Sequence, residues 1–240
     1  MFSLQPKPIG LPPGALVHTG QQKSSEVTLT LIDYDAEHLL VKEQISLEDC
    51  LPLKETDSVS WVNLSGLHDI DQLQKLGDSF GIHNLALEDV LNTGHPPKCE
   101  EFETYVLLIF KLLHINDQTG GLEQEQISMV VGPTWLLTFQ EKPEDIFDRL
   151  RDRINRANGR IRQRGTDYLA YAILDSVVDS YFHVLAYLGE RLETMEAKLL
   201  IDPDSQSLQD IHRLRQELTL LRRSVWPLQI AIAEFQQIES

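Results

Sequence analysis

Four carboxylates are the residues best placed to do chemistry in this sequence. Glu88 and Asp89 sit inside the apolar run "LALEDVLN" (85–92), and Asp175 and Asp179 lie four apart in "YAILDSVVDSYF". With about 100° between successive helical residues, Asp89 is expected to project between Ile82, Leu85 and Ala86, inside an apolar stripe. Glu88 then falls on the more polar flank with Asn84. A carboxylate in a buried stripe is costly unless something compensates its charge. Asp175 and Asp179 share a helix face, and neither has a Lys or Arg within four residues. Oxygen donors of this kind suit a hard divalent cation. Mg2+ keeps several of its waters and needs only one or two carboxylates. The plainer alternative is a set of solvated acids, or acids paired with distant arginines.

Other chemistries lack a foothold. There is no GxSxG, HExxH, P-loop or GxGxxG pattern, so no catalytic and no cofactor-binding residues are assigned. Eight histidines are scattered, none spaced i, i+4 with another. The two cysteines, Cys50 and Cys99, form no CxxC pair, which argues against a thiolate metal site and suits a reducing compartment. The net charge of −16 is unevenly spread. The first 150 residues hold 9 basic and 24 acidic side chains, the last 90 hold 12 and 13. Such a field repels nucleic acid and anionic lipid and attracts cations. The basic run "RDRINRANGRIRQRG" reads as a helix surface pairing with the acidic half, since no aromatics interleave to make a nucleic-acid platform. The start, "MFSLQPKPIGLPPG", is not a secretory signal. No stretch approaches the ~20 apolar residues of a membrane helix.

The elements that must carry the acids follow from pattern. Residues 1–25, rich in Pro and Gly, read as an irregular arm. "VTLTLIDYD", "HLLVKEQIS" and "SVSWVNLSG" read as strands. "HDIDQLQKLGDSFGIH" reads as a helix capped by Asp69 and ended by Gly81. "LALEDVLN" then stops at the breaker "TGHPPK". "ETYVLLIFKLLHI", "EQISMVVG" and "TWLLTFQEK" read as three further strands. "PEDIFDRLRDRINRAN" reads as a helix opening on Pro. The predicted fold is therefore an α/β (α+β) domain over 26–160, a mixed sheet flanked by helices. Over 161–240 the pattern becomes a 3-4 repeat: Tyr171, Leu174, Val178, Tyr181, Leu185, Leu188, Leu192, Met195 and Leu199. It breaks at "DPDSQS" and restarts at Ile211, Leu214, Leu218, Leu221, Val225, Leu228, Ile232 and Phe235. Two such repeats make a long antiparallel, coiled-coil-like hairpin. Leu169, Ala172, Ile173, Val177, Phe182 and Val184 form a second stripe on the first helix, so it needs cover on several sides. Pro227 should kink the second helix locally. That helix reaches Ser240 with no stop signal, as the start of a longer stalk would.

The ordered set "LALEDVLNTGHPPKCEEFETYVLLIFKLL", "EQISMVVG", "LLTFQEK", "DYLAYAILDSVVDSYF" and "RRSVWPL" closely resembles the cytoplasmic part of the CorA family of magnesium and cobalt channels, from about Val27 onward. The resemblance implies a homopentamer at the cytoplasmic face of the cell membrane. Its pore helix and Gly-Met-Asn signature are not in these 240 residues, so the piece itself is not expected to be membrane-embedded, and the pentamer is expected of the full-length protein, the piece alone being monomeric or weakly associated. It also implies regulatory Mg2+, with Co2+ or another divalent cation as alternatives, held by acids at subunit interfaces. Glu88, Asp89 and Asp175 match those sensing positions, and Asp179 is added on helix geometry alone. A further acid on the neighbouring stalk would complete the site beyond Ser240. Bridging Mg2+ is expected to favour the closed state. Two other readings stay open: a related zinc transporter, and a soluble helical-hairpin scaffold with no ion role.

Overall fold

The computed structural model describes residues 10–143, 146–157, 159–201 and 205–238, the side chains of 205 and 206 excepted. Seven strands form one mixed sheet: β1 (Thr28–Tyr34), β2 (Leu39–Lys42), β3 (Val59–Ser65), β4 (Lys98–Glu101), β5 (Val106–Ile115), β6 (Leu122–Val131) and β7 (Trp135–Gln140). Their spatial order is β2-β1-β3-β7-β6-β5-β4. Only β3 and β7 pair in parallel; every other neighbour is antiparallel. The helices are α1 (Leu47–Cys50), α2 (Ile70–Phe80), α3 (Asn84–Leu91), α4 (Asp148–Asn155), α5 (Thr166–Ile201) and α6 (Ser205–Gln237).

Alternation along the strands builds two cores, one on each face of the sheet. Leu107, Ile109, Val62, Leu64, Leu137 and Phe139 face α2 and α3, where they meet Leu76, Leu87 and Val90. Leu108, Phe110, Trp61, Met129 and Leu136 face the other way, against α4 and α5. The central strands are buried on both sides, which is why "YVLLIF" reads as an unbroken apolar run. The fold is thus a sheet sandwiched between two short helices and a long hairpin, as the sequence predicts.

Several boundaries move. "HLLVKEQIS" is strand only over Leu39–Lys42; Ser46 then caps α1 in a reciprocal pair with Asp49. Pro143 does not open α4, which begins at Asp148, and Glu144 and Asp145 lie outside the described residues. So do residues 1–9 of the arm and Asp202–Asp204 of the hairpin turn. Asp69 caps α2 by accepting from the Gln72 N–H at 3.0 Å, and Gly81 ends it in the left-handed region, as expected. By length and hydropathy alone α5 is long and apolar enough to cross a membrane, contrary to the sequence reading. Here its apolar side is spent on the sheet.

The hairpin turns a different face inward from the one its repeat predicts. On α5, Leu169, Ala172, Ile173, Val177 and Val184 are buried, together with Leu174, Tyr181 and Leu188 of the predicted seam. Tyr171, Leu185 and Leu192 are exposed. The sheet offers a broader apolar surface than a single helix, so it takes the second stripe apart from Phe182, which is exposed. On α6 the buried line is Leu214, Glu217, Leu221, Ser224, Leu228 and Ala231, while Ile211, Leu218 and Val225 stay partly open. Arg191 binds Glu217 at 2.6 Å, and the Leu122 N–H donates to the same carboxylate at 3.3 Å. Tyr181 and Tyr187 donate from α5 to the carbonyls of Lys111 and Gly120. These polar ties fix the hairpin on the β5–β6 ribbon.

Candidate functional site

α3 carries the first acid pair. His83 caps it, its Nδ1 accepting from the Leu85 N–H at 3.2 Å, while the His83 N–H donates to the Tyr105 hydroxyl at 3.0 Å. The helix buries Ala86, Leu87, Val90 and Leu91 and leaves Leu85 exposed. Its apolar stripe therefore runs one position away from the one expected. Glu88 and Asp89 lie beside that stripe, both half-buried. Asp89 is compensated from within its own chain: Lys98 on β4 reaches it at 2.6 Å, and His95 lies 3.7 Å away. The same ammonium binds Glu100 at 2.6 Å. Burial draws the Lys98 ammonium down, but its hydrogen bonds to Asp89 and Glu100 outweigh that, and the net direction is up.

Glu88 is engaged by the arm. The Gly14 N–H donates to it at 2.6 Å. Gly14 has φ +79°, and a Cβ there would meet the Asn84 Cβ at 3.3 Å, so glycine is what lets the chain pass this close. Further along, the Thr19 N–H donates to the Leu91 carbonyl at 3.2 Å, and the Thr19 hydroxyl to Asn92 at 3.1 Å. The arm thus closes the C-terminal end of α3.

The second pair sits elsewhere. Asp175 and Asp179 are exposed on the side of α5 turned away from the sheet. They have no ion pair among the described residues. Exposed Tyr171 and Phe182 flank them on the same helix face. The two pairs occupy opposite faces of the sheet, and no group of three or more His, Cys, Asp or Glu side chains converges among the described residues. One chain therefore holds two separate acid pairs: Asp175 and Asp179 present carboxylates alone, whereas the His95 imidazole stands beside Asp89. Lys98, His95 and Gly14 went unnoticed in the sequence. Lys98 hides in the breaker "TGHPPK", where no periodicity points it at Asp89.

The family model described as "CorA-like Mg2+ transporter protein" matches residues 56–240. The chain is 36% identical over 219 residues to the cobalt/magnesium transport protein CorA of Thermotoga maritima, covering 91% of this chain and 62% of that protein. It is 27% identical to the CorA of Methanocaldococcus jannaschii, over 76% of this chain and 55% of that one. It thus spans under two thirds of the length of either relative. In fold it resembles the soluble domain of the M. jannaschii CorA, with a TM-score of 0.70 at 24% identity over 89% of this chain and 80% of that one. It also resembles the cytoplasmic domain of ZntB from Vibrio parahaemolyticus, with a TM-score of 0.66 at 15% identity over 87% and 79%.

Proposed function

The chain belongs to the CorA-like Mg2+ transporter family, and from that premise we propose that it is the cytoplasmic, Mg2+-sensing part of a pentameric Mg2+/Co2+ channel. The observation that carries the reading is the placement of the two acid pairs on opposite, outward sides of one sheet. Acids that cannot meet within a chain can meet between chains. In a head-to-tail ring, the α3 side of one subunit would face the α5 side of the next. The sheet unit (26–160) then supplies one half-site and the hairpin (161–240) the other. Exposed Tyr171 and Phe182 beside Asp175 and Asp179 suit such an interface, since aromatics are enriched at protein contacts.

The mechanism is a linkage. Mg2+ shared by Glu88 and Asp89 of one subunit and Asp175 and Asp179 of the next would stabilise the closed arrangement over the open one. When Mg2+ falls the ion leaves, like charges repel, and the interface loosens. Lys98 tunes this. It already neutralises part of the Asp89 charge, so the ion must share that carboxylate with an ammonium. Weak binding follows, which a sensor of abundant Mg2+ requires. No catalysis is involved. The four carboxylates favour Mg2+, whereas the His95 imidazole beside Asp89 is the kind of donor Zn2+ prefers, so the two ions are compared directly.

The test is Mg2+-dependent thermal stabilisation and self-association of the chain, read beside Zn2+. Asp89→Asn should reduce the Mg2+ effect, and Lys98→Gln should enlarge it, shifting the midpoint to about tenfold lower Mg2+. An unchanged Mg2+ response in both variants sinks the assignment. A larger response to Zn2+ moves it to the zinc-transporter reading, and no metal response leaves the scaffold.

A further inference from the structure

A cavity of about 970 Å³ lies between α6 and the loop that follows α3. Its charge runs against that of the chain. Lys23, Lys111, Arg222 and Arg223 line it, with Glu141 as its one carboxylate. That carboxylate is already engaged, by Lys23 at 2.9 Å and by the Gln126 N–H at 2.7 Å. Lys111 is 4% exposed. It donates to the Thr93 carbonyl and to Gln126 Oε1, both at 2.8 Å. Both acceptors are neutral, and a third N–H remains. Arg222 and Arg223 have no ion pair among the described residues, in a chain where acids outnumber bases 37 to 21. Three cations thus surround one opening without a carboxylate of their own.

The wall has a different character. Trp226 presents its indole, 68% exposed, beside Pro227, with Pro96 and Pro97 also lining the cavity. An exposed indole among prolines is a flat apolar surface on which a planar ring can stack. Guanidinium groups match phosphate oxygens in bidentate fashion, and a buried ammonium is relieved by an anion. The volume falls within the range of small-molecule sites.

We propose that this cavity binds a nucleoside phosphate, with Arg222, Arg223 and Lys111 on the phosphates and Trp226 stacked on the base. Burial, with a smaller push from Lys23 and against the pull of Glu141, brings the Lys111 ammonium down to about 7, so in the unliganded chain its charge is poorly supported, and a bound phosphate would restore it. The cavity adjoins the Asp89 acid pair through His95, which lines the cavity and lies 3.7 Å from Asp89, but the groups proposed to hold the phosphates and the base are other residues.

The experiment titrates ATP into the chain in the absence of divalent cations, with tripolyphosphate and adenosine as separate arms. Trp226 emission reports directly, because Trp61 and Trp135 are buried in the sheet; calorimetry reads the same binding without the indole. The expected result is saturable ATP binding, with each of the other two ligands at least about tenfold weaker. The double variant Arg222→Ala, Arg223→Ala alters exposed side chains only, and should weaken ATP by about tenfold or more at unchanged melting temperature. Trp226→Ala should abolish the preference for ATP over tripolyphosphate. The proposal is overturned by absent saturation, by unchanged affinity in the arginine variant, or by equal binding of tripolyphosphate. It is equally overturned if the arginine variant changes self-association in chains that bind no ATP, for then the arginines meet acids of a second copy.

Discussion

Glu125 and Lys111 are buried ionisable residues that titrate near neutrality from opposite directions. Burial pushes the Glu125 carboxyl up from 4.5 to about 7; the Lys142 N–H opposes this and nearby Glu141 adds to it. Burial pulls Lys111 down from 10.5 to about 7, against the pull of Glu141. Between pH 4.5 and 7 the folded chain holds a proton on Glu125 that the unfolded chain releases, so stability falls as pH rises. Between pH 7 and 10.5 the unfolded chain keeps a proton on Lys111 that the folded chain releases, so stability rises. These two groups alone therefore put a minimum of stability near neutral pH. Glu125→Gln keeps an acceptor for the Glu141 and Lys142 N–H groups, now 3.0 and 2.9 Å away. It should be about 3 kcal/mol more stable than the parent above pH 7 and match it below pH 4.5. Urea unfolding across that range measures the difference. A parallel pair of curves would show that Glu125 stays ionised throughout.

At the scale of elements, one carboxylate ties the two helices of the hairpin to each other and to the sheet. Glu217 joins α6 to Arg191 of α5 and to the first N–H of β6. Glu217→Ala leaves a half-buried guanidinium and a buried N–H without that acceptor. A loss of about 2 kcal/mol is expected, together with faster proteolysis within the hairpin. Glu217→Gln should recover part of it. The sequence revealed the elements better than their faces. Strands β5 to β7 announce themselves because alternation, β-branching and burial on both sides all agree. The hairpin's length is equally plain, since its repeat persists across both helices. Which stripe of α5 turns inward was not legible, because two stripes are apolar and the choice rests with a sheet built from distant sequence. The same limit applies to Asp89. Its acids were visible as an anomaly in "LALEDVLN", but Lys98 enters from a strand beyond a Pro-Pro turn. The contact of Gly14 with Glu88 spans 74 residues and leaves no local trace.

For the whole molecule, the central fact is that a sheet stands between the two half-sites. In a ring, damage to one half-site would then be directional. A chain altered only at Asp89 spoils the junction on one side and leaves the other whole; a chain altered only at Asp175 and Asp179 does the reverse. Co-assembled in equal amounts, the two kinds of chain should retain, wherever the intact sides meet, the Mg2+-dependent association that each lacks alone. Crosslinking of tagged mixtures would register those surviving junctions, and their absence would mean that both pairs serve the same side. In such a ring the partition that keeps the acids apart would give each subunit a left hand and a right hand, so that every ion would belong to a joint between two chains and to neither chain alone.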